Sequence, residues 1–254
     1  MQVQSFGISD RGRVREYNED SFLANQEEEI FLIADGMGGL SKGDVASRIA
    51  VESIENFITQ SRLEDITWPI KPQEQYTLEE NRFLAAISLA NWNIYTEFQK
   101  DANTMGMGTT ITGFLVDGEQ LVIANVGDSR SYLFRDDMIE QLTEDHSLVM
   151  EEVRKGNMTP EEARNHPQKH VINRALGISE STQVDISMFA PQPGDLYLLC
   201  SDGLSDMIPD AEMLSLVRAH GEKSLEELGQ IFIDAALEHG GKDNVTLVFV
   251  RFYE

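Results

Sequence analysis

Carboxylates stand where apolar runs of this chain begin or end, and no other feature of the sequence constrains the fold as strongly. They are Glu19-Asp20 in the run 15–20, Asp35-Gly36 after 30–34, Gly127-Asp128 after 121–126, Asp202-Gly203 after 196–200, and Asp243-Asn244 before 245–250. A carboxylate on a tight turn at a strand tip can point into a shared cleft. Several gathered there repel one another unless cations sit between them. An all-oxygen donor set suits hard divalent ions such as Mg2+ or Mn2+ rather than zinc or copper. The fold is therefore expected to bring distant strand ends together around metal.

The 254 residues suffice for one large domain or two small ones. No linker, internal repeat or low-complexity stretch divides them, so 1–254 reads as a single domain. A formal net charge of −24 excludes nucleic acid as the main partner, because phosphate backbones are held by clustered Lys and Arg. Cys200 is the only cysteine, which rules out an internal disulfide and fits a reducing compartment. The start of the chain is polar, and nothing approaches the ~20 apolar residues of a membrane span. A soluble cytoplasmic protein, monomeric and without membrane contact, is the expectation.

Short β-like runs at 3–9, 21–25 and 29–34 precede a change of period. From Gly43, residues Ala46, Ile49, Ala50, Ile54, Phe57 and Ile58 recur at helical spacing, and Phe83, Ile87, Ala90, Ile94 and Phe98 form a second stripe. Strands return at 109–116, 120–126, 131–134 and 138–142, with hairpin turns at Asp117-Gly118 and Asp136-Asp137. A polar, charge-rich segment, 147–177, carries weak helical pieces at 148–155 and 160–164 and reads as a surface excursion. Strands at 183–188, 196–200 and 245–252 and helices at 210–219 and 224–238 complete the chain. Helices come in pairs between groups of strands, which favours a mostly antiparallel α+β layered architecture over a doubly wound sheet.

Several simpler chemistries fail on spacing. The run Gly36-Met37-Gly38-Gly39-Leu40-Ser41 lacks the last glycine of a dinucleotide fingerprint, and Asp44 follows Gly43 where a phosphate loop needs Lys. Cys200 has Asp206, not arginine, six residues on, and acidic neighbours raise a thiol pKa; a buried strand cysteine fits better. His146 reads either as a residue bordering the cleft or as a hydrogen-bonded loop histidine. Arg15, four residues before Glu19, reads either as a bidentate phosphate ligand or as a surface partner of Glu16 or Glu19. Two metal ions ~3.5–4 Å apart can hold a water as hydroxide and aim it at phosphorus, and these carboxylates with one arginine suit that chemistry.

The motifs Arg15-Glu16-Tyr17-Asn18-Glu19-Asp20, Ala34-Asp35-Gly36-Met37-Gly38-Gly39, Gly108-Thr109-Thr110, Asn125-Val126-Gly127-Asp128-Ser129-Arg130, Leu142-Thr143-Glu144-Asp145-His146-Ser147-Leu148, Cys200-Ser201-Asp202-Gly203-Leu204 and Lys242-Asp243-Asn244-Val245-Thr246 resemble, in order and over nearly the whole chain, those of the metal-dependent serine/threonine protein phosphatases of type 2C in their compact bacterial form. The resemblance implies an αββα sandwich of two mostly antiparallel sheets flanked by helix pairs, with a small flap subdomain at 147–177. It implies that Asp35 bridges two Mn2+ or Mg2+ ions, that Asp202 and Asp243 complete the first ion's ligands, and that Glu19 and the Gly36 carbonyl serve the second. By the same resemblance Asp20 and Asn244 orient ligands, Asp128 with Asp202 holds a weaker third ion, and Arg15 binds phosphate. Met37 stands where animal enzymes carry a histidine, and Leu40 where many bacterial ones do. That leaves His146 or a metal-bound water as the source of the leaving-group proton. The implied activity is hydrolysis of phosphoserine and phosphothreonine in proteins, opposing a bacterial serine/threonine kinase. A phosphatase-like regulatory module and a small-molecule phosphomonoesterase are the alternatives.

Overall fold

The structure, a computed structural model, describes residues 1–38, 42–100, 107–164 and 166–254. The turn Gly39-Leu40-Ser41, and with it the Leu40 position, lies outside the described residues, as does Asn165 within the 147–177 segment.

Two antiparallel sheets stack face to face. One has the order β1 (Gln2–Asp10), β11 (Val245–Tyr253), β10 (Leu196–Cys200), β7 (Arg130–Arg135), β8 (Met138–Gln141). The other runs β2 (Asp20–Asn25), β3 (Ile30–Met37), β5 (Ile111–Asp117), β6 (Gln120–Val126), β9 (Asp185–Phe189), with the short β4 (Gly108–Thr109) beside the end of β3. Helices α1 (Gly43–Leu63) and α2 (Leu78–Gln99) cover the second sheet, and α6 (Asp210–His220) and α7 (Leu225–Glu238) cover the first. This is the expected αββα sandwich.

The period-two alternation of the strands builds its layers. Phe31 and Ile33 of β3, Leu121 and Ile123 of β6, Tyr197 and Leu199 of β10, and Val248 and Val250 of β11 meet between the sheets. The intervening residues, such as Leu32, Val122, Leu198 and Leu247, face the helices. Tyr197 packs edge-on against Phe114 and Phe252, with ring centroids 5.6 and 5.5 Å apart. Each such pair contributes ~0.5–1.5 kcal/mol beyond the area buried. Capping boxes start α2 (Thr77 with Glu80) and α7 (Ser224 with Glu227). The β7–β8 hairpin turns on Asp136-Asp137, both at positive φ, as a type I′ turn requires.

Strand register explains where the acidic residues converge. Asp20 opposes Asp35, Cys200 opposes Leu247, and Ile111 opposes Val126. The start of β2, the end of β3, the end of β6, the end of β10 and the start of β11 thus lie at one end of the sandwich. Two local expectations are corrected. Asp35 does not sit on a turn: β3 continues through Asp35 to Met37 because Gly36 and Met37 pair with β4. Asp202 opens a short helix, α5 (Asp202–Ser205), which fits a carboxylate in a first helical turn.

The segment 147–177 contains α3 (Leu148–Arg154) and α4 (Pro160–Arg164). It is not wholly a surface excursion. Its return limb is buried at Ala175 and Leu176, and Leu176 exchanges backbone hydrogen bonds with Thr109 at 3.1 and 2.8 Å. Asn91 of α2 accepts from the Gly177 amide at 2.9 Å. Small apolar side chains let this polar stretch end inside the core.

Candidate metal centre

A cleft of ≈ 540 Å3 opens at the carboxylate end of the sandwich, lined among others by Arg15, Glu19, Asp35, Gly36, Asp128, Asp202 and Asp243. Backbone crowding sets its floor. A Cβ on Gly36 would meet the Gly43 carbonyl oxygen at 2.2 Å and that of Glu19 at 2.5 Å, so only glycine lets β3 pass between them. The same approach brings the Gly43 amide to Glu19 Oε1 at 2.9 Å and holds that carboxylate beside Gly36. Ser47 donates to the Glu19 carbonyl at 2.7 Å. Gly203 is equally enclosed: a Cβ there would lie 1.9 Å from the Asn244 oxygen, which locks the start of α5 against the turn before β11.

Asn244 ties the N-terminal turn to that frame. Its Nδ2 donates to the carbonyls of Arg11 and Tyr17, both at 2.9 Å, and its Oδ1 accepts from the Glu19 amide at 2.9 Å. Asp20 accepts from the hydroxyls of Thr246 and Ser201 on Oδ2 at 2.5 and 2.9 Å, while its buried Oδ1 has no partner. The Asp35 backbone is fixed by Thr109 and Thr110, which leaves its side chain to the cleft.

These carboxylates are electrostatically unsatisfied. Burial, aided by the surrounding acids, pushes Asp20 up to about 7 and Asp202 up to about 6. Asp35 and Asp128 are held well above the usual carboxylate range by burial first and by neighbouring aspartates second. An oxygen-only donor set, an orphaned buried oxygen and mutual repulsion fit hard divalent cations bound among these residues.

The remaining residues divide. Arg15 lines the cleft and pairs with Asp243, Nη2 to Oδ2 at 2.6 Å, rather than with Glu16 or Glu19. His146 does not border the cleft. It is fully buried, with Nδ1 accepting from the Gly127 amide at 3.1 Å and Nε2 3.1 Å from Asp185, so it has no free nitrogen to offer a leaving group. Cys200 is buried on β10 among the residues facing α6 and α7, and burial pushes its thiol up to about 12. Sequence reasoning passed over Asp206, Lys169 and His170 as cleft residues. Lys169 and His170 each reach Asp206, at 3.0 and 3.1 Å, and ligand atoms of His170, Asp202 and Asp206 all lie within 4.8 Å of one another. Asp206 was legible as the residue one helical turn after Asp202; nothing in the local sequence points Lys169 and His170 toward it.

The family model described as protein phosphatase 2C matches residues 11–238. The serine/threonine phosphatase stp of Listeria innocua is 40% identical over 247 residues, covering 96% of this chain and 93% of the relative. The crystal structure of the Mycobacterium tuberculosis serine/threonine phosphatase PstP/Ppp superposes with a TM-score of 0.87 at 35% identity, with all of both chains covered. The catalytic domain of PstP in complex with two manganese ions gives 0.83 at 32% identity over 99% of each chain.

Proposed function

The chain belongs to the protein phosphatase 2C family, and from that membership we propose how its residues divide the work of a metal-dependent serine/threonine protein phosphatase. The enzyme hydrolyses phosphoserine and phosphothreonine in protein substrates and depends on Mn2+ or Mg2+. The observation that carries the assignment is the convergence of Glu19, Asp35, Asp128, Asp202 and Asp243, from five separate segments, on one cleft that also holds Arg15.

Asp35 would be shared between two ions; Asp202 and Asp243 would help hold one of them, and Glu19 with the Gly36 carbonyl the other. Bound divalent ions supply a water that is deprotonated near neutral pH and placed for in-line attack on phosphorus. Asp20 and Asn244 keep the ligands oriented, Asp20 through Thr246 and Ser201 and Asn244 through the Glu19 amide. Asp128 and Asp202 form a third, weaker ion site, with Asp206 and His170 beside it. Arg15 presents a planar fork at the cleft mouth and grips the phosphate oxygens. The segment 147–177 acts as a flap of one catalytic unit, and the enzyme works as a cytoplasmic monomer that opposes a serine/threonine kinase. No helix among the described residues is long and apolar enough to cross a membrane.

The test is phosphate release from a phosphopeptide with and without Mn2+, for wild type and Asp35→Asn. Loss of the bridging charge is expected to cost more than the ~10–100-fold typical of losing an outer partner. Full turnover by Asp35→Asn would overturn the assignment. A small aryl phosphate run in parallel separates a protein phosphatase from a phosphomonoesterase of small molecules.

A further inference from the structure

His146 is buried, polar and absent from the chemistry assigned above. Its surroundings admit one protonation pattern. The Gly127 amide donates to Nδ1 at 3.1 Å, so Nδ1 carries a lone pair. The ring proton is then on Nε2, which faces Asp185 Oδ2 at 3.1 Å, and a carboxylate accepts. Arg174 Nη1 also stands 3.1 Å from Nε2. Both groups are donors in this tautomer, so the guanidinium bond is the one to Asp185 Oδ1 at 2.7 Å. Burial, the leading influence, lowers the imidazole pKa despite Asp185, in keeping with the neutral ring.

These bonds join two working parts of the molecule. Gly127 immediately precedes Asp128 and is confined at φ +113, where a Cβ would meet Thr110 at 2.5 Å. On the other side of Asp128, Arg130 binds Asp145 through two bonds, at 2.9 and 2.7 Å. The adjacent residues Asp145 and His146 therefore grip the Asp128 turn from both flanks. The His146 backbone extends the link: its amide donates to the Gly127 carbonyl at 2.9 Å, and its carbonyl accepts from Asn173 at 2.8 Å. Asn173 and Arg174 belong to the limb that carries Lys169, His170 and Ile172 to the cleft.

We propose that His146 is a positioning residue: as the Nε2–H tautomer, it holds the Asp128 turn in register with the return limb of the flap. The imidazole adds a side-chain link, through Asp185 to Arg174, to the backbone bonds that join the two sides. The kinetic consequence rests on the reading of Asp128 as a metal ligand; the hydrogen-bonded link does not.

Two near-isosteric variants separate the halves of the link. In His146→Asn, Oδ1 takes the place of Nδ1, so the acceptor for Gly127 stays and the arm to Asp185 is lost. In His146→Gln, an N–H reaches the Nε2 position, so that arm stays and the acceptor is lost. Nitrogen-15 NMR of the metal-free wild type should show the Nε2–H tautomer of His146. Amide hydrogen exchange at Gly127 should quicken about tenfold in His146→Gln and hold in His146→Asn, whereas the guanidinium protons of Arg174, which is paired with Asp185, should exchange faster in His146→Asn and hold in His146→Gln. His146→Gln should also need several-fold more Mn2+ for half-maximal turnover of a small aryl phosphate. An Nδ1–H tautomer in the wild type, or the same exchange pattern in both variants, as a residue that only fills space would give, overturns the proposal. If wild-type turnover ignored Mn2+, the phosphatase reading would fail on that measurement alone, and the tautomer and exchange data would still decide the role of His146.

Discussion

Arg15 and Asp243 meet across 228 positions of sequence, Nη2 donating to Oδ2 at 2.6 Å, with the guanidinium half exposed and the carboxylate a third exposed. On the proposed assignment, a metal ion held by Asp243 would release the planar fork of Arg15 for phosphate. Both roles fit one residue because the Arg11–Glu19 turn is tied to the Asp243-Asn244 turn by the Asn244 side chain.

Arg15→Ala is therefore expected to raise KM for a phosphopeptide about tenfold or more, the scale of losing a charge-assisted bidentate contact. It should not weaken Mn2+ binding. A half-exposed pair contributes at most about 1 kcal/mol, so its removal tightens Mn2+ by about fivefold at most. Arg15→Lys should recover part of the KM, since an ammonium lacks the fork. Steady-state kinetics with calorimetric Mn2+ titration checks both; an unchanged KM would reduce Arg15 to a partner of Asp243.

The carboxylate cluster predicts how the metal-free protein responds to pH. Asp202 is raised to about 6 and Asp20 to about 7, and Asp35 and Asp128 are also held well above the usual carboxylate range, burial being the largest cause in each. An acid whose pKa is higher folded than unfolded stabilises the fold while protonated, and that stability disappears as pH rises through the folded value. Chelator-treated protein should thus lose thermal stability between pH 5 and 8. Mn2+ at ~100 times its Kd should restore about 2.7 kcal/mol and flatten the profile. A melting temperature that rises from pH 5 to 8 without metal would contradict the electrostatics of the cleft.

Much of this was legible in sequence because period-two and helical patterns report which face is buried. The strands Gln120–Val126 and Leu196–Cys200 and the helix Pro160–Arg164 appear with the expected bounds. Less legible were features decided by partners distant in sequence. Asp35 looks like a turn residue from its Gly36 neighbour, and only the pairing of β4 with β3 keeps it in a strand. His146 follows a strand end as a cleft residue would, yet Gly127, Asn173 and Asp185 enclose it. The polar 147–177 stretch hides a buried end, because Ala175 and Leu176 are too few to make a pattern.

Cys200 tests the absence of sulfur chemistry. Its thiol is fully buried and raised to about 12, chiefly by burial, so almost no thiolate exists near neutral pH. Treatment of the folded enzyme with iodoacetamide should leave turnover intact, and Cys200→Ala should keep most activity while lowering the melting temperature through a small cavity. A phosphocysteine trapped during turnover would overturn direct attack by water on phosphorus.

The segment 147–177, proposed above as a flap, is pinned at both ends and lightly held between them. At the base, Leu148 donates to Val171 at 2.9 Å and Leu176 pairs with Thr109. In between, α3 and α4 bury few side chains, Val149 and Ala163 among them, and the segment reaches the body through Lys169 and His170 on Asp206 and Arg164 on Asp210. Partly exposed pairs of that kind contribute ~0–1 kcal/mol each, far less than core burial. Residues 149–170 should therefore exchange amide hydrogens well before the strands of either sheet, while 172–177 stay protected. Arg154, Lys155 and Arg164 are exposed, with Arg154 facing Glu144 and Arg164 facing Asp210. Replacing all three by alanine should change kcat/KM for phosphopeptides several-fold and spare a small aryl phosphate, which is too short to reach these three side chains from the cleft. Asp128→Ala should lower turnover of both substrates while calorimetry still counts two bound ions. Equal effects of the triple variant on both substrates, or a flap as protected as β3, would mean that this segment is scaffold and does not choose the substrate.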